Sequence, residues 1–186
     1  MEVRLPGSIT TSSALTSLLS TPPRPATHSK MPANVAIIGS GVFAEAAYLP
    51  ALQQVTKDAT LHTIWSRSQK SAEKLHSAAT TSLSSDIKLE HGDAGLQRVL
   101  DNKEIEGVMI VLPITAQPDM VIKCLEAGKH VLSEKPIGKD IKTAKALVEE
   151  YEKRFQSKGL IWRVAESRFR FRPMSLKRSL MCRLGV

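Results

Sequence analysis

Val35-Ala36-Ile37-Ile38-Gly39-Ser40-Gly41-Val42-Phe43-Ala44 is an apolar run that ends in Gly-x-Gly-x-x-Ala and leads into the helix formers Glu45, Ala46 and Ala47. A strand, a tight turn and a helix start follow one another there, as in a dinucleotide-binding βαβ unit. Gly39 lets the chain turn sharply, and Gly41 lets a pyrophosphate approach the backbone without meeting a Cβ. Ala44 is small enough for the helix to pack on the strand. Ser40, Val42 and Phe43 complete the cradle, and the ligand's negative charge would rest on the unpaired N–H groups of the helix start.

Outward from this turn, strands and helices alternate from Asn34 onward, which predicts an α/β fold: a Rossmann-type doubly wound parallel sheet. Strands are expected at 34–38, 61–65, 87–90, 107–113, 130–133 and 160–165. The first helix is expected from Val42 to about Thr56, kinked or split by Pro50. Ser68 caps a second helix running to about Ala79, and the Ser/Thr stretch 80–85 reads as a loop. Leu96, Val99 and Leu100 repeat at helical spacing. Met120, Val121, Cys124 and Leu125 form the inner face of a further helix that Gly128 ends, which makes Cys124 a core residue and not a nucleophile. Asp140 caps the last helix, with Ile141, Ala144, Leu147 and Val148 facing inward.

The chain has 186 residues, 42% of them hydrophobic, enough for one well-buried domain. Its net charge of +8 is unevenly placed. Residues 31–162 carry 16 basic and 16 acidic side chains, whereas residues 1–30 carry 3 against 1 and residues 163–186 carry 7 against 1. A neutral body with basic ends is not the footprint of a nucleic-acid-binding fold. The 2 cysteines, Cys124 and Cys182, have no metal-like spacing, so neither a disulfide framework nor a metal site is expected, and a reducing compartment is. No apolar run approaches the ~20 residues of a membrane-spanning helix.

Three units are expected: a disordered Ser/Thr/Pro-rich extension over 1–31, a dinucleotide-binding domain over 32–165, and a basic tail over 166–186. Arg4, Arg24 and Lys30 with few acidic neighbours suit a mitochondrial leader. Pro6, Pro22, Pro23 and Pro25 would interrupt its helix, which favours an extension upstream of a second start at Met31 and a cytoplasmic protein.

Further features lie at the strand ends, where ligands collect in an open α/β sheet. Ser66-Arg67-Ser68 offers hydroxyls and a guanidinium where an NAD site usually offers a carboxylate. This suits a 2′-phosphate, so NADP is the expected cofactor, with NAD as the alternative. Leu112-Pro113 fixes a turn beside the nicotinamide ribose position, and Gln117 follows. Glu134-Lys135-Pro136 ends the fifth strand, where Lys135 could hold a ribose hydroxyl or polarise a substrate oxygen.

Gly39-x-Gly41-x-x-Ala44, Ser66-Arg67, and Ala127-Gly128-Lys129-His130-Val131-Leu132-Ser133-Glu134-Lys135-Pro136 together resemble the N-terminal domain of the Gfo/Idh/MocA oxidoreductases over about residues 33–172. The Gly-Lys-His-Val…Glu-Lys-Pro run is the most specific part. The resemblance implies hydride transfer between NAD(P) and a sugar, polyol or diol carbon, with Lys135 as the active-site lysine and Gly39, Gly41 and Arg67 on the cofactor. Two positions depart from it. Leu112-Pro113-Ile114 stands where many members have Thr-Pro-Asn, and Gln117 stands at a His position, where glutamine hydrogen-bonds but does not titrate.

Members of that family continue into a second α/β domain that supplies most of the substrate pocket and the subunit contacts. The 21 residues after Ala165 are too few for it. This predicts a truncated form with weak dinucleotide binding, little or no turnover and no ground for a homo-oligomer. The alternative is a non-catalytic dinucleotide-binding or regulatory module.

Overall fold

Six parallel strands make one sheet in a computed structural model that describes residues 32–166. The expectations for 1–31, for the crossover and tail beyond Glu166 and for Cys182 lie outside the described residues. The strands are β1 (Ala33–Ile38), β2 (Ala59–Ser66), β3 (Lys88–His91), β4 (Gly107–Ile110), β5 (His130–Glu134) and β6 (Trp162–Ala165), in the spatial order β3-β2-β1-β4-β5-β6. The sheet grows one way from β1 through β2 to β3 and the other way from β4 through β5 to β6. Its topological switch therefore lies between β1 and β4, where open α/β sheets bind ligands.

Alternation along β1 divides the core between the two faces. Val35 and Ile37 face Leu49, Leu52, Leu75 and Ala79 of the first two helices. Ala36 and Ile38 face Leu96, Val99, Val121, Cys124 and Leu125 of the next two. All four residues of β4 are buried, as befits a strand covered on both sides. The helices are α1 (Leu49–Gln53), α2 (Gln69–Ser82), α3 (Gly92–Asp101), α4 (Gln117–Glu126) and α5 (Ile141–Arg154).

Pro50 does split the first helix. The turn Ala44–Tyr48 is π-helical, Leu49 N–H returns to the Ala44 carbonyl five residues back, and α-helix resumes with Pro50 near its start. A proline lacks the N–H that regular spacing would use. Ser68 caps α2 by accepting from Ser71 N–H (3.3 Å), but α2 runs to Ser82 and takes half of the expected 80–85 loop. The hydroxyls of Thr80, Thr81 and Ser82 donate to the carbonyls of His76, Ser77 and Ala78, so they are satisfied within the helix and do not end it. Asp140 caps α5 by accepting from Thr143 N–H (2.7 Å). Leu147 is buried and Ala144 and Val148 are half-buried, whereas Ile141 is 76% exposed, contrary to its expected inward face. It shares their stripe but sits at the first helical residue, one turn beyond the covered stretch.

Candidate dinucleotide site

All the residues singled out for the site leave the sheet at one edge, the C-terminal ends of β1, β2, β4 and β5. The turn after β1 begins at Gly39, which is buried at φ +111°. A Cβ there would stand 2.1 Å from the Val111 carbonyl oxygen, so the end of β4 presses directly on this turn. Gly41 is different. It does not lie at positive φ, and a Cβ built on it meets no atom within 4 Å. Neither packing nor backbone geometry demands glycine at 41, and the space it leaves open faces out of the protein. This fits a group that must approach the backbone closely, as a pyrophosphate does.

The helix start follows. Ala44 and Glu45 N–H both return to the Gly41 carbonyl (3.0 and 3.4 Å). Ser40 is half-buried, Val42 and Phe43 are exposed, and Ala44 is fully buried. At 78% and 52% exposure, Val42 and Phe43 are two of the large apolar side chains that the described residues leave open. At the end of β2, Ser66 is buried and Arg67 exposed. Ser68 spends its hydroxyl inside α2, accepting from Ser71 N–H and donating to Ser71 Oγ (2.8 Å). Arg67 is thus the open polar side chain of that trio. No acidic residue lies in the first turn of α2.

Leu112 is half-buried and packs against the core, while Pro113 is exposed and its carbonyl accepts from Ala116 N–H (2.9 Å). Gln117 is 2% exposed. Its Nε2 donates to the Pro136 carbonyl (3.2 Å) and its Oε1 has no partner among the described residues. It lies under the Glu134-Lys135-Pro136 turn, which contains a cis Lys135–Pro136 peptide, and ties that turn to α4. Lys135 and Pro136 are exposed, and Glu134 is half-buried.

Two residues that sequence reasoning had not singled out as functional complete the picture. Tyr48 is buried in the π-helical turn, and its hydroxyl donates to Glu134 Oε1 at 2.6 Å. Burial, then the hydrogen bond and the charge of Glu134, push the phenol well above its ordinary range, so it stays a donor. Lys129 is buried, and its ammonium donates to the carbonyls of Asn102 and Ile105. Burial foremost lowers its pKa. This second residue of the Gly-Lys-His-Val run is a structural clamp on the α3–β4 loop. Cys124 lies wholly within the core, and burial pushes its thiol up to about 12, as expected of a packing residue.

Residues 33–158 match a family model described as "Oxidoreductase family, NAD-binding Rossmann fold". The chain belongs to the Gfo/Idh/MocA oxidoreductase family. Dehydrogenase FPY6 of Fusarium mangiferae is 39% identical over 140 residues, which are 74% of this chain and 38% of that protein. A dTDP-3,4-didehydro-2,6-dideoxy-alpha-D-glucose 3-reductase of Saccharopolyspora spinosa is 31% identical over 108 residues, covering 58% and 30% of the two chains. Among solved structures, a 3-ketoreductase from Actinomadura kijaniata in complex with NADP and TDP-benzene superposes with a TM-score of 0.58 at 25% identity, over 72% of this chain and 37% of that one. The chain thus spans well under half the length of these Gfo/Idh/MocA relatives, and the part it spans is the NAD-binding Rossmann domain. Among the described residues, no helix is long and apolar enough to cross a membrane.

Proposed function

We propose that this Rossmann domain holds NADP in preference to NAD and serves hydride transfer to or from a sugar, polyol or diol carbon. The observation that carries the reading is Gly41, a glycine that the protein's own packing leaves unexplained at the start of a helix beside the topological switch. Gly39, Ser40, Gly41, Val42, Phe43 and Ala44 would hold the pyrophosphate side of the cofactor. Ser66 and Arg67 would hold its adenosine ribose and 2′-phosphate, where a guanidinium can bind two phosphate oxygens at once. Leu112, Pro113, Gln117, Glu134, Lys135 and Pro136 would shape the nicotinamide end. When bound, the dinucleotide supplies the hydride chemistry.

The chain's own part is orientation and electrostatics. Lys135, exposed on a turn held by Glu134 and Gln117, would place its ammonium on a substrate oxygen, favouring the build-up of negative charge there and steering the proton. Gln117 cannot exchange a proton with the substrate, so its part is to hold the turn. The test is titration with NADPH and with NADH, followed by nicotinamide fluorescence. Saturable binding is expected to favour NADPH, and Arg67→Asp to abolish that preference. Equal affinity for the two cofactors in the unsubstituted chain would overturn the NADP assignment, and no binding to a folded chain would overturn the whole reading.

A further inference from the structure

Glu134 is a half-buried carboxylate with no ion-pair partner among the described residues, next in sequence to the lysine on which the proposed chemistry depends. Both of its oxygens are nevertheless occupied. Oε1 accepts from the Tyr48 hydroxyl at 2.6 Å, and Oε2 accepts from the backbone N–H of Lys135 at 3.2 Å. Hydrogen bonds to a charged acceptor are the strong ones, and a partly buried charge is costly without them. The two donors therefore fix where this anion lies.

Tyr48 reaches Glu134 from the end of the π-helical turn. The wide turn Ala44–Tyr48 ends at Tyr48 immediately before the Pro50 break, and it seats the ring in the core with only 4% exposure. The Phe43 ring braces it edge-on (centroids 6.0 Å apart, planes at 73°). The helical stretch that starts at the glycine turn is thus linked through the Tyr48 hydroxyl to the last residue of β5. Lys135, by contrast, is exposed and has no ion pair among the described residues. Its ammonium sits on a flexible four-carbon stem within one residue of the carboxylate. A Glu134 side chain released from Tyr48 would lack a donor on one oxygen, and the neighbouring ammonium is the charged group best able to supply one.

We propose that Tyr48 is a positioning residue whose hydroxyl holds the Glu134 carboxylate away from the adjacent Lys135 ammonium and so keeps that ammonium free for a substrate oxygen. The use of the freed ammonium rests on the reading of Lys135 as the site's lysine, but the placement of the carboxylate does not.

The test reads the availability of Lys135 directly. The chain is treated with a trace of acetic anhydride, and acetylation at Lys135 is quantified by peptide mass spectrometry relative to the exposed Lys139 and Lys142. Tyr48→Phe is expected to slow acetylation of Lys135 by about three- to tenfold, because an adjacent carboxylate holds the amine in its charged, unreactive form. Adding Glu134→Gln to Tyr48→Phe is expected to restore the original rate, a rescue that a purely structural loss would not give. Glu134→Gln alone is expected to leave it unchanged within about twofold, since the carboxylate it removes is already turned away. An unaltered rate in folded Tyr48→Phe, or slowing that the second substitution does not reverse, would overturn the proposal. Should Tyr48→Phe fail to fold, Glu134→Gln alone decides: a several-fold acceleration means that Glu134 already pairs with Lys135 and refutes it, while an unchanged rate upholds it. Neither cofactor nor turnover enters the readout, so failure of the hydride-transfer reading would leave these rates untouched.

Discussion

The two glycines of the turn are expected to fail in opposite ways when each is replaced by alanine. A Cβ on Gly39 would lie 2.1 Å from the Val111 carbonyl oxygen and 2.8 Å from its carbon, where ordinary contacts begin at 3.4 Å. The neighbour is backbone, so more than 1 Å of movement is required of the end of β4. Val111 N–H also donates to the Ile38 carbonyl at 2.8 Å, and that bond ties β4 to β1. Backbone strain at φ +111° contributes about 1–3 kcal/mol and overpacking a similar amount, so Gly39→Ala should cost about 2–6 kcal/mol. That is a large part of the ~5–15 kcal/mol that holds a domain together, and a fall in Tm of about 10 °C or more follows. A Cβ on Gly41 meets nothing within 4 Å, and its backbone is not left-handed. Gly41→Ala should change stability by no more than about 0.5 kcal/mol yet weaken dinucleotide binding by about tenfold or more, or ~1.4 kcal/mol. Thermal unfolding followed by circular dichroism and NADPH fluorescence titration separate the two. If Gly41→Ala binds NADPH as tightly as the parent chain, the open space at 41 is not where the phosphates lie. If Gly39→Ala melts with the parent, the close approach of the β1 and β4 ends is wrong.

Three further outcomes follow from side chains in the core and on the sheet. Lys129→Met removes the donor to the Ile105 carbonyl (2.8 Å) and to that of Asn102. After the relief of desolvating an ammonium, it should cost about 1–3 kcal/mol in urea unfolding; a midpoint equal to the parent's would mean that water replaces the amine without loss. His130 Nδ1 accepts from Ile161 N–H at 3.1 Å, and burial lowers its pKa below the ordinary 6.5 despite the nearby Glu106. The unfolded chain therefore takes up the proton first, and this contribution to stability should decline as pH falls below about 6.5 until the folded histidine itself titrates. His130→Asn retains an acceptor and should flatten that part of the pH dependence; an identical slope in the variant would assign it elsewhere. In a Cys182→Ser background, Cys124 should resist a disulfide reagent such as dithionitrobenzoate at pH 8 until urea unfolds the domain, and rapid reaction in the native state would contradict its place in the core.

The fold was legible because its signals are local and repeated. The continuous apolar runs of β1 and β4 and the caps Ser68 and Asp140 each announce an element without reference to the rest. Errors fell where a local rule met a competing one. Thr80, Thr81 and Ser82 look like loop residues, but their hydroxyls are satisfied by carbonyls one turn back, so α2 outlasts its apolar stripe. Ile141 carries the right spacing for burial, yet spacing says nothing about how far the covered stretch extends along a helix.

Which residues gather at the candidate site's edge of the sheet was legible and their wiring was not, and the difference is one of distance along the chain. Gly39 and Gly41 look alike in the sequence. The left-handed backbone of Gly39 and the approach of Val111, 72 residues further on, separate the one that the fold requires from the one that it leaves open. Tyr48 reads as one more apolar position in an Ala-rich helix, and Glu134 as the first letter of a Glu-Lys-Pro motif. Their contact spans 86 residues, and Tyr48 makes it from a π-helical turn that periodicity at 3.6 residues cannot register. Motifs record which residues gather at the sheet edge. Which of them hold the others in place is decided by side chains reaching between elements, and at this edge the reach of Tyr48 to Glu134 links the glycine turn to Lys135.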